Sequence, residues 1–278
     1  MFANRRLLIA TMHKKEQVIA PILEKELGVS CFIINNFDTD ALGTFSGEIE
    51  RKNDPISTVI EKCKTAMTLA NCDLGVASEG SFGNHPTVFF ATADDEFLVF
   101  IDLKNNLEII ARILSLDTNF ASETISNLSD LKTFAEKAQF PSHGIILKDN
   151  AHKPKVIYKN IDNWSDLEMA FYTLTQHQTD IIAETDMRAM RNPTRMKIIE
   201  QATAVLVKKI KSTCPNCKEP GFEAIEILRG LPCENCNAPT RSPKTERFKC
   251  KKCTFEALFE ISNDKKYEDP MYCDFCNP

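Results

Sequence analysis

Several familiar features are missing from this chain. No segment reaches the roughly 18 consecutive apolar residues of a membrane span. Met1-Phe-Ala-Asn-Arg-Arg-Leu-Leu-Ile-Ala10 lacks the long apolar run of a secretory leader. No Gly-x-Ser-x-Gly elbow, P-loop or Gly-x-Gly-x-x-Gly turn occurs, which removes three common routes to hydrolase, kinase-type or dinucleotide chemistry. His85, His143, His152 and His177 have no partner at metal-ligand spacing. Excess charge of one sign is also absent: 34 Lys and Arg stand against 39 Asp and Glu, so the surface as a whole does not attract nucleic acid. No low-complexity tract divides the chain.

What is present in quantity is cysteine. Four Cys-x-x-Cys pairs, Cys214/Cys217, Cys233/Cys236, Cys250/Cys253 and Cys273/Cys276, fall close together near the C-terminus. A two-residue spacer lets both sulfurs of a knuckle face one tetrahedral Zn²⁺, and two pairs complete a four-thiolate shell. The eight thiols fill two structural zinc sites. Closing the shortest loops would join consecutive pairs, first with second and third with fourth. Disulfides are the competing reading and belong to oxidising compartments; a reduced, cytoplasmic setting is expected. Cys31, Cys63 and Cys72 sit in apolar stretches and read as small core residues.

With 43% hydrophobic and 26% charged residues, 278 residues suffice for one sizeable α/β core plus a small module. Leu7-Leu-Ile-Ala-Thr11 suits a buried strand. A helix follows over 15–27, with Gly28 where a left-handed residue stops it, and a strand over 29–34. Residues 37–53 read as a long loop or irregular hairpin. Asp54-Pro55 opens a helix by acidic cap and first-turn proline, with Ile56, Val59, Ile60, Cys63 and Met67 on its buried face. Asp73-Leu-Gly-Val-Ala77 is a strand entering a polar, Gly-bearing turn. Strands at 97–103 and 107–114 flank the hairpin signal Lys104-Asn-Asn106. Helices near 128–138 and 165–175, strands at 144–147 and 155–158, and a helix opened by Asn192-Pro193 complete the pattern. The expected architecture is a three-layer α/β domain over 1–212 and a double zinc ribbon over 213–278.

In open α/β sheets, ligands bind beyond the carboxyl ends of the strands, and three polar segments qualify. Thr11-Met-His-Lys-Lys-Glu16 offers Thr11, His13 and Lys15 beside free helix N–H groups, a setting for a phosphate or a plain cap with solvated charge. Ser78-Glu-Gly-Ser-Phe-Gly83 offers Glu79 as a metal ligand or general base, with Ser78, Gly80 and Ser81 around it, or is a tight turn with an exposed acid. Arg188, Arg191 and Arg195 crowd a helix N-terminus, where cations oppose the macrodipole. A bound anion, or an ion-pair network with Asp186 and Glu184, would relieve the conflict equally well.

Taken in order, the segments over 7–120 resemble the inosine/xanthosine triphosphate pyrophosphatase superfamily. The quoted residues are Thr11-Met-His-Lys-Lys-Glu16, Glu61-Lys-Cys63 and Asp73-Leu-Gly-Val-Ala-Ser-Glu-Gly80, with His13 standing where those enzymes carry Asn. The whole chain also resembles an uncharacterised bacterial family that joins an α/β domain to a four-knuckle zinc module. The first resemblance implies a bound nucleotide or other phosphorylated small molecule, and Mg²⁺ held partly by Glu79 for triphosphate pyrophosphohydrolysis. A different class remains open. The basic cluster Arg241, Lys244, Arg247, Lys249, Lys251 and Lys252, with Phe248 and Phe255, would suit a non-enzymatic adaptor docking nucleic acid or protein.

Overall fold

The computed structural model describes residues 1–34, 54–149, 154–176, 180–261 and 265–278. The expected loop at 37–53, His152 and His177 lie outside the described residues. Two compact units emerge, Met1–Val207 and Lys208–Pro278. The division falls within the last turns of the helix Pro193–Lys211, a few residues before the expected boundary at 212.

The first unit is a mixture of helices and sheets, and it contains two sheets. Its N-terminal part runs β1 (Arg6–Ala10), α1 (Glu16–Leu27), β2 (Ser30–Phe32), α2 (Pro55–Leu69), β3 (Leu74–Asn84), β4 (Thr92–Asp102) and β5 (Leu107–Ser115). The strand order is β2-β1-β3-β4-β5, with β2, β1 and β3 parallel and the last two antiparallel. Local chemistry explains the boundaries. Gly28 ends α1 in the left-handed region (φ 68°), and the Asp54 carboxylate accepts from the N–H groups of Ile56 and Ser57 to open α2. The α2 stripe Val59, Cys63, Ala66 and Met67 packs on Leu8, Ala10, Ala77 and Val99. Ile56 stays largely exposed, so the buried face begins one turn later than its spacing predicts.

Beyond β5 come β6 (Ser122–Ile125), α3 (Leu128–Lys137), β7 (Ile145–Lys148), β8 (Ile157–Ile161), α4 (Trp164–Thr175) and β9 (Ile181–Thr185). These strands form an antiparallel sheet of order β6-β9-β7-β8 with its own apolar core, including Leu131, Phe134, Leu147, Leu167 and Leu174. Asn127 and Asn163 cap the two helices in the same way, each accepting from the backbone three residues on. Helix α5 (Pro193–Lys211) follows a short 3₁₀ turn at Ala189–Arg191.

One expectation is corrected here. The polar segment Ser78–Gly83 is not a turn: β3 continues through it to Asn84, paired residue for residue with β4. Strand β4 likewise begins at Thr92, five residues before the apolar run. The hairpin thus extends past the apolar layer, and the tip moves out to His85–Ala91.

The second unit is a three-stranded antiparallel sheet of β10 (Glu223–Arg229), β11 (Pro243–Lys249) and β12 (Glu256–Glu260). Among the described residues, no helix is long and apolar enough to cross a membrane.

Candidate functional site

In the second unit each strand carries the chain from one end of the sheet to the other, so successive knuckles alternate between ends. Cys214 and Cys217 precede β10, and Cys250 and Cys253 follow β11, which runs back beside it. These four form one cluster; Cys233, Cys236, Cys273 and Cys276 form the other. The expected consecutive pairing is therefore corrected to first with third and second with fourth. The strand hydrogen bonds outweigh the small loop-entropy preference that favoured the shortest closures.

Within each cluster the ligand sulfurs all lie within 4.8 Å of one another. The sulfur contacts Cys214–Cys253, Cys217–Cys250 and Cys236–Cys273 measure 3.6 Å, and Cys233–Cys276 measures 3.9 Å. Four thiolates 2.3 Å from a tetrahedral zinc would stand about 3.8 Å apart, so the donor set fits the ion. The two ends repeat one another. Asn216 Nδ2 donates to the Cys253 sulfur at 3.6 Å, and Asn235 Nδ2 donates to that of Cys276 at 3.5 Å. Lys218, Asn237 and Thr254, each directly after the second cysteine of a knuckle, adopt positive φ of 62°, 59° and 59°. Such contacts orient thiolates and moderate their charge. The basic cluster of the ribbon is paired with acids: Arg241 with Asp274, Arg247 with Glu226, Lys249 with Glu256, Lys251 with Glu223 and Lys252 with Glu219. A phosphate would have to displace these partners.

The second candidate lies in the first unit, where the β3–β4 hairpin passes α1, α2 and α5. Antiparallel register places Gly80 opposite Glu96 and Phe82 opposite Asp94. Ser78, Gly80, Asp94 and Glu96 therefore share one face of the hairpin. Glu79 and Ser81 point to the other.

On the first face, the buried Lys15 ammonium donates to Ser78 Oγ at 3.0 Å. Burial, then the Arg195 charge, pushes Lys15 down to about 7. Arg195 reaches the same face from the first turn of α5, where Asn192 Oδ1 caps its backbone N–H at 3.0 Å. Its Nε meets Glu96 Oε1 at 2.5 Å, with both side chains 0% exposed, and its Nη1 donates to the Met187 carbonyl at 2.5 Å. A Cβ on Gly80 would overlap Arg195 Nη2 and Glu96 Oε1, so only glycine leaves room for this pair. Burial, reinforced by Glu96, pushes the Asp94 carboxyl up to about 8.

On the opposite face, Glu79 Oε2 receives Lys62 Nζ at 3.2 Å, and the same ammonium reaches the Ser78 carbonyl at 3.3 Å. Glu79 is thus engaged by α2 and does not project from a strand end. Half-buried His13 (φ 65°) stands in the loop ahead of α1. Burial, followed by Lys15, Arg195, Arg188 and Lys62, lowers its imidazole to about 4. Thr11 Oγ1 donates to the adjacent Met12 carbonyl.

The three arginines separate. Arg195 is central; Arg188 forks onto Asp186, with Nη2–Oδ2 at 2.6 Å, and reaches Asn160. Arg191 pairs with Asp162 at 3.1 Å. Glu184 pairs with Lys148 instead. Each arginine at this helix entry thus has an acid, and the one facing Arg195 is Glu96, almost a hundred residues earlier. Lys62, Asp94 and Glu96 went unrecognised as site residues in the sequence. The signal for the last two was period-two alternation: 94 and 96 share parity with the buried Leu98 and Phe100.

No curated protein matches the chain. A family model described as Domain of unknown function (DUF6671) matches residues 62–278, a span that takes in Lys62, the β3–β4 hairpin, Arg195 and all eight clustered cysteines. That match covers most of the chain, and the protein belongs to this family.

Proposed function

We propose that the first unit binds a phosphorylated small molecule, with a nucleoside triphosphate as the first class to test, while two structural zinc ions hold the ribbon. The observation that carries this reading is the set of buried cations gathered at the hairpin: Lys15 on Ser78, Arg195 on Glu96 and Lys62 on Glu79. Behind burial, four cations drawn from the α1 entry, α2, the segment after β9 and α5 act on the His13 imidazole. An anion in that loop would meet Lys15 and Arg195 without needing to bring its own counter-charge. The finer reading places α1 and α2 on opposite faces of the first sheet as a three-layer unit. In that reading Mg²⁺-assisted pyrophosphohydrolysis is the chemistry, with the cation neutralising phosphate charge and an acid directing water. Lys15, Ser78 and Arg195 position the phosphate; His13, lowered to about 4, stays neutral at pH 7 and donates its one ring N–H to a phosphate oxygen.

A thermal-shift panel of nucleoside triphosphates, each with and without Mg²⁺, tests the reading on the whole chain. Binding to the native state must stabilise it, so a true ligand raises the melting temperature by several degrees at millimolar concentration. The shift should vanish in Lys15→Ala. Shifts below about 1 °C for every nucleotide and for inorganic phosphate would overturn it.

A further inference from the structure

Two acids on the Ser78 face of the hairpin are buried beyond what their protein partners satisfy. Asp94 is 1% exposed and Glu96 0%. Among the described residues, neither oxygen of Asp94 has a hydrogen-bond partner, and neither does Glu96 Oε2, although Glu96 Oε1 holds Arg195. An unpartnered buried acceptor keeps the full penalty of leaving water, and a charged one keeps more. Three such oxygens on two residues of one strand face need a common explanation. Residues two apart on a strand stand about 7 Å apart on the same side, close enough for both carboxylates to reach one ion.

We propose that Asp94 and Glu96 form a subsite for one small divalent cation, of the Mg²⁺ or Mn²⁺ kind. The free oxygens supply one or two ligands, and water and the phosphate oxygens of the ligand complete the shell. In that last respect the proposal rests on the phosphate reading above. The chemistry selects the ion. All the protein donors are hard oxygens, and two carboxylates with several open positions suit Mg²⁺ or Mn²⁺ rather than the fuller oxygen cage of Ca²⁺ or the thiolates of zinc. Charge balance also favours a joint occupant. Lys15 and Arg195 already place two cations beside the two acids, so a lone divalent ion would leave the cluster positive, whereas a cation with a polyphosphate restores balance. The assignment moves the metal role from Glu79, whose carboxylate is occupied by Lys62 on the opposite face.

Asp95 provides an internal control. It lies between the two acids in sequence but on the other face, forked onto Arg112 at 2.8 Å. Electron paramagnetic resonance of Mn²⁺ should be followed as it is titrated into the whole, zinc-loaded chain. Inorganic phosphate binding is measured in parallel without divalent ions, and zinc content is checked throughout. One Mn²⁺ per chain beyond the two zinc ions is expected, more tightly bound with phosphate present. Asp94→Asn should weaken it at least about tenfold because one of two anionic ligands is lost, and Asp95→Asn should leave it unchanged. Should Asp94→Asn not fold, the unaltered chain still answers: bound Mn²⁺ must broaden the magnetic resonance signals of Ser78 and Phe82 but not those of Glu108. No Mn²⁺ binding, equal loss in both variants, or broadening elsewhere overturns the subsite. Phosphate binding that persists without any Mn²⁺ binding would sink the cation subsite alone. Mn²⁺ binding without phosphate or nucleotide binding would keep the subsite and sink the anion reading.

Discussion

The ribbon and the hairpin cluster bury their side chains on opposite principles. In Lys208–Pro278 the buried apolar side chains are few, chiefly Ile210, Phe222, Leu231 and four of the metal-site cysteines. Such a sheet has little apolar core of its own, and a metal held by each cysteine cluster would supply the missing cohesion. Met1–Val207 buries many more apolar side chains, among them the two clusters packed against its sheets. It also places Lys15, Lys62, Glu79, Asp94, Glu96 and Arg195 out of water, which a well-packed apolar replacement would do at lower cost. A region with stability in reserve can keep a strained, charged site, whereas a region without it spends its unusual chemistry on staying folded.

Metal removal is the harshest test of that contrast. Structural zinc contributes roughly 10–16 kcal/mol in small zinc domains, so a strong chelator should expose residues 208–278 to protease while 1–207 stays resistant. A ribbon that keeps its protection without zinc would break the comparison.

Next comes the buried pair. Arg195→Met strands Glu96 in the interior and should cost about 3–5 kcal/mol in urea unfolding of the first unit. The double change Arg195→Met with Glu96→Met should recover most of it, showing that the pair is kept for something other than stability. A smaller loss, about 1–3 kcal/mol, is expected for Gly80→Ala, because the added methyl must push Arg195 and Glu96 apart.

The mildest effect is on ligand affinity against pH. With sulfate as probe, whose charge is constant in this range, affinity should fall by up to about tenfold from pH 6 to pH 8.5, as Lys15 loses its proton near 7. The groups that act on Lys15 are Arg195 and Lys62, which lower its proton affinity, and Glu96 and Glu79, which raise it. His13, lowered to about 4, stays neutral throughout and contributes nothing to the slope. Lys15→Met should remove the Lys15 share of the slope and leave a smaller one from Asp94, whose carboxyl, pushed up to about 8 by burial and Glu96, gains charge in the same range and repels the anion; Arg191→Ala, which loses the contact to Asp162, should leave the profile unaltered.

Features written in local spacing were legible. The Cys-x-x-Cys pairs, the Asp54-Pro55 and Asn192-Pro193 helix openings and Gly28 each depend on neighbours within a few residues, and each reappears in the structure. The buried thiol of Cys63, raised to about 12 by burial, fits its reading as a core residue. What stayed hidden depends on distant partners. The zinc pairing follows from strand register, which no knuckle encodes. The partner of Arg195 lies on β4, far away in sequence, and the acidic run Asp94-Asp-Glu96 received no strand assignment because polar residues on an extended hairpin carry no apolar signature. Glu79 was visible as an acid after a strand, but its engagement by Lys62 requires α2 to cross that face.

The alternation of knuckles along the ribbon also constrains the order of its assembly. As the chain emerges from the ribosome, Cys214/Cys217 and Cys233/Cys236 appear first, and these two pairs belong to different four-cysteine clusters. A zinc captured between them would sit in a four-thiolate shell that is nevertheless the wrong one, and it would have to be surrendered before β11 could align beside β10. Correct loading would therefore wait on hairpin closure, which would make early metal a kinetic trap and late metal a latch.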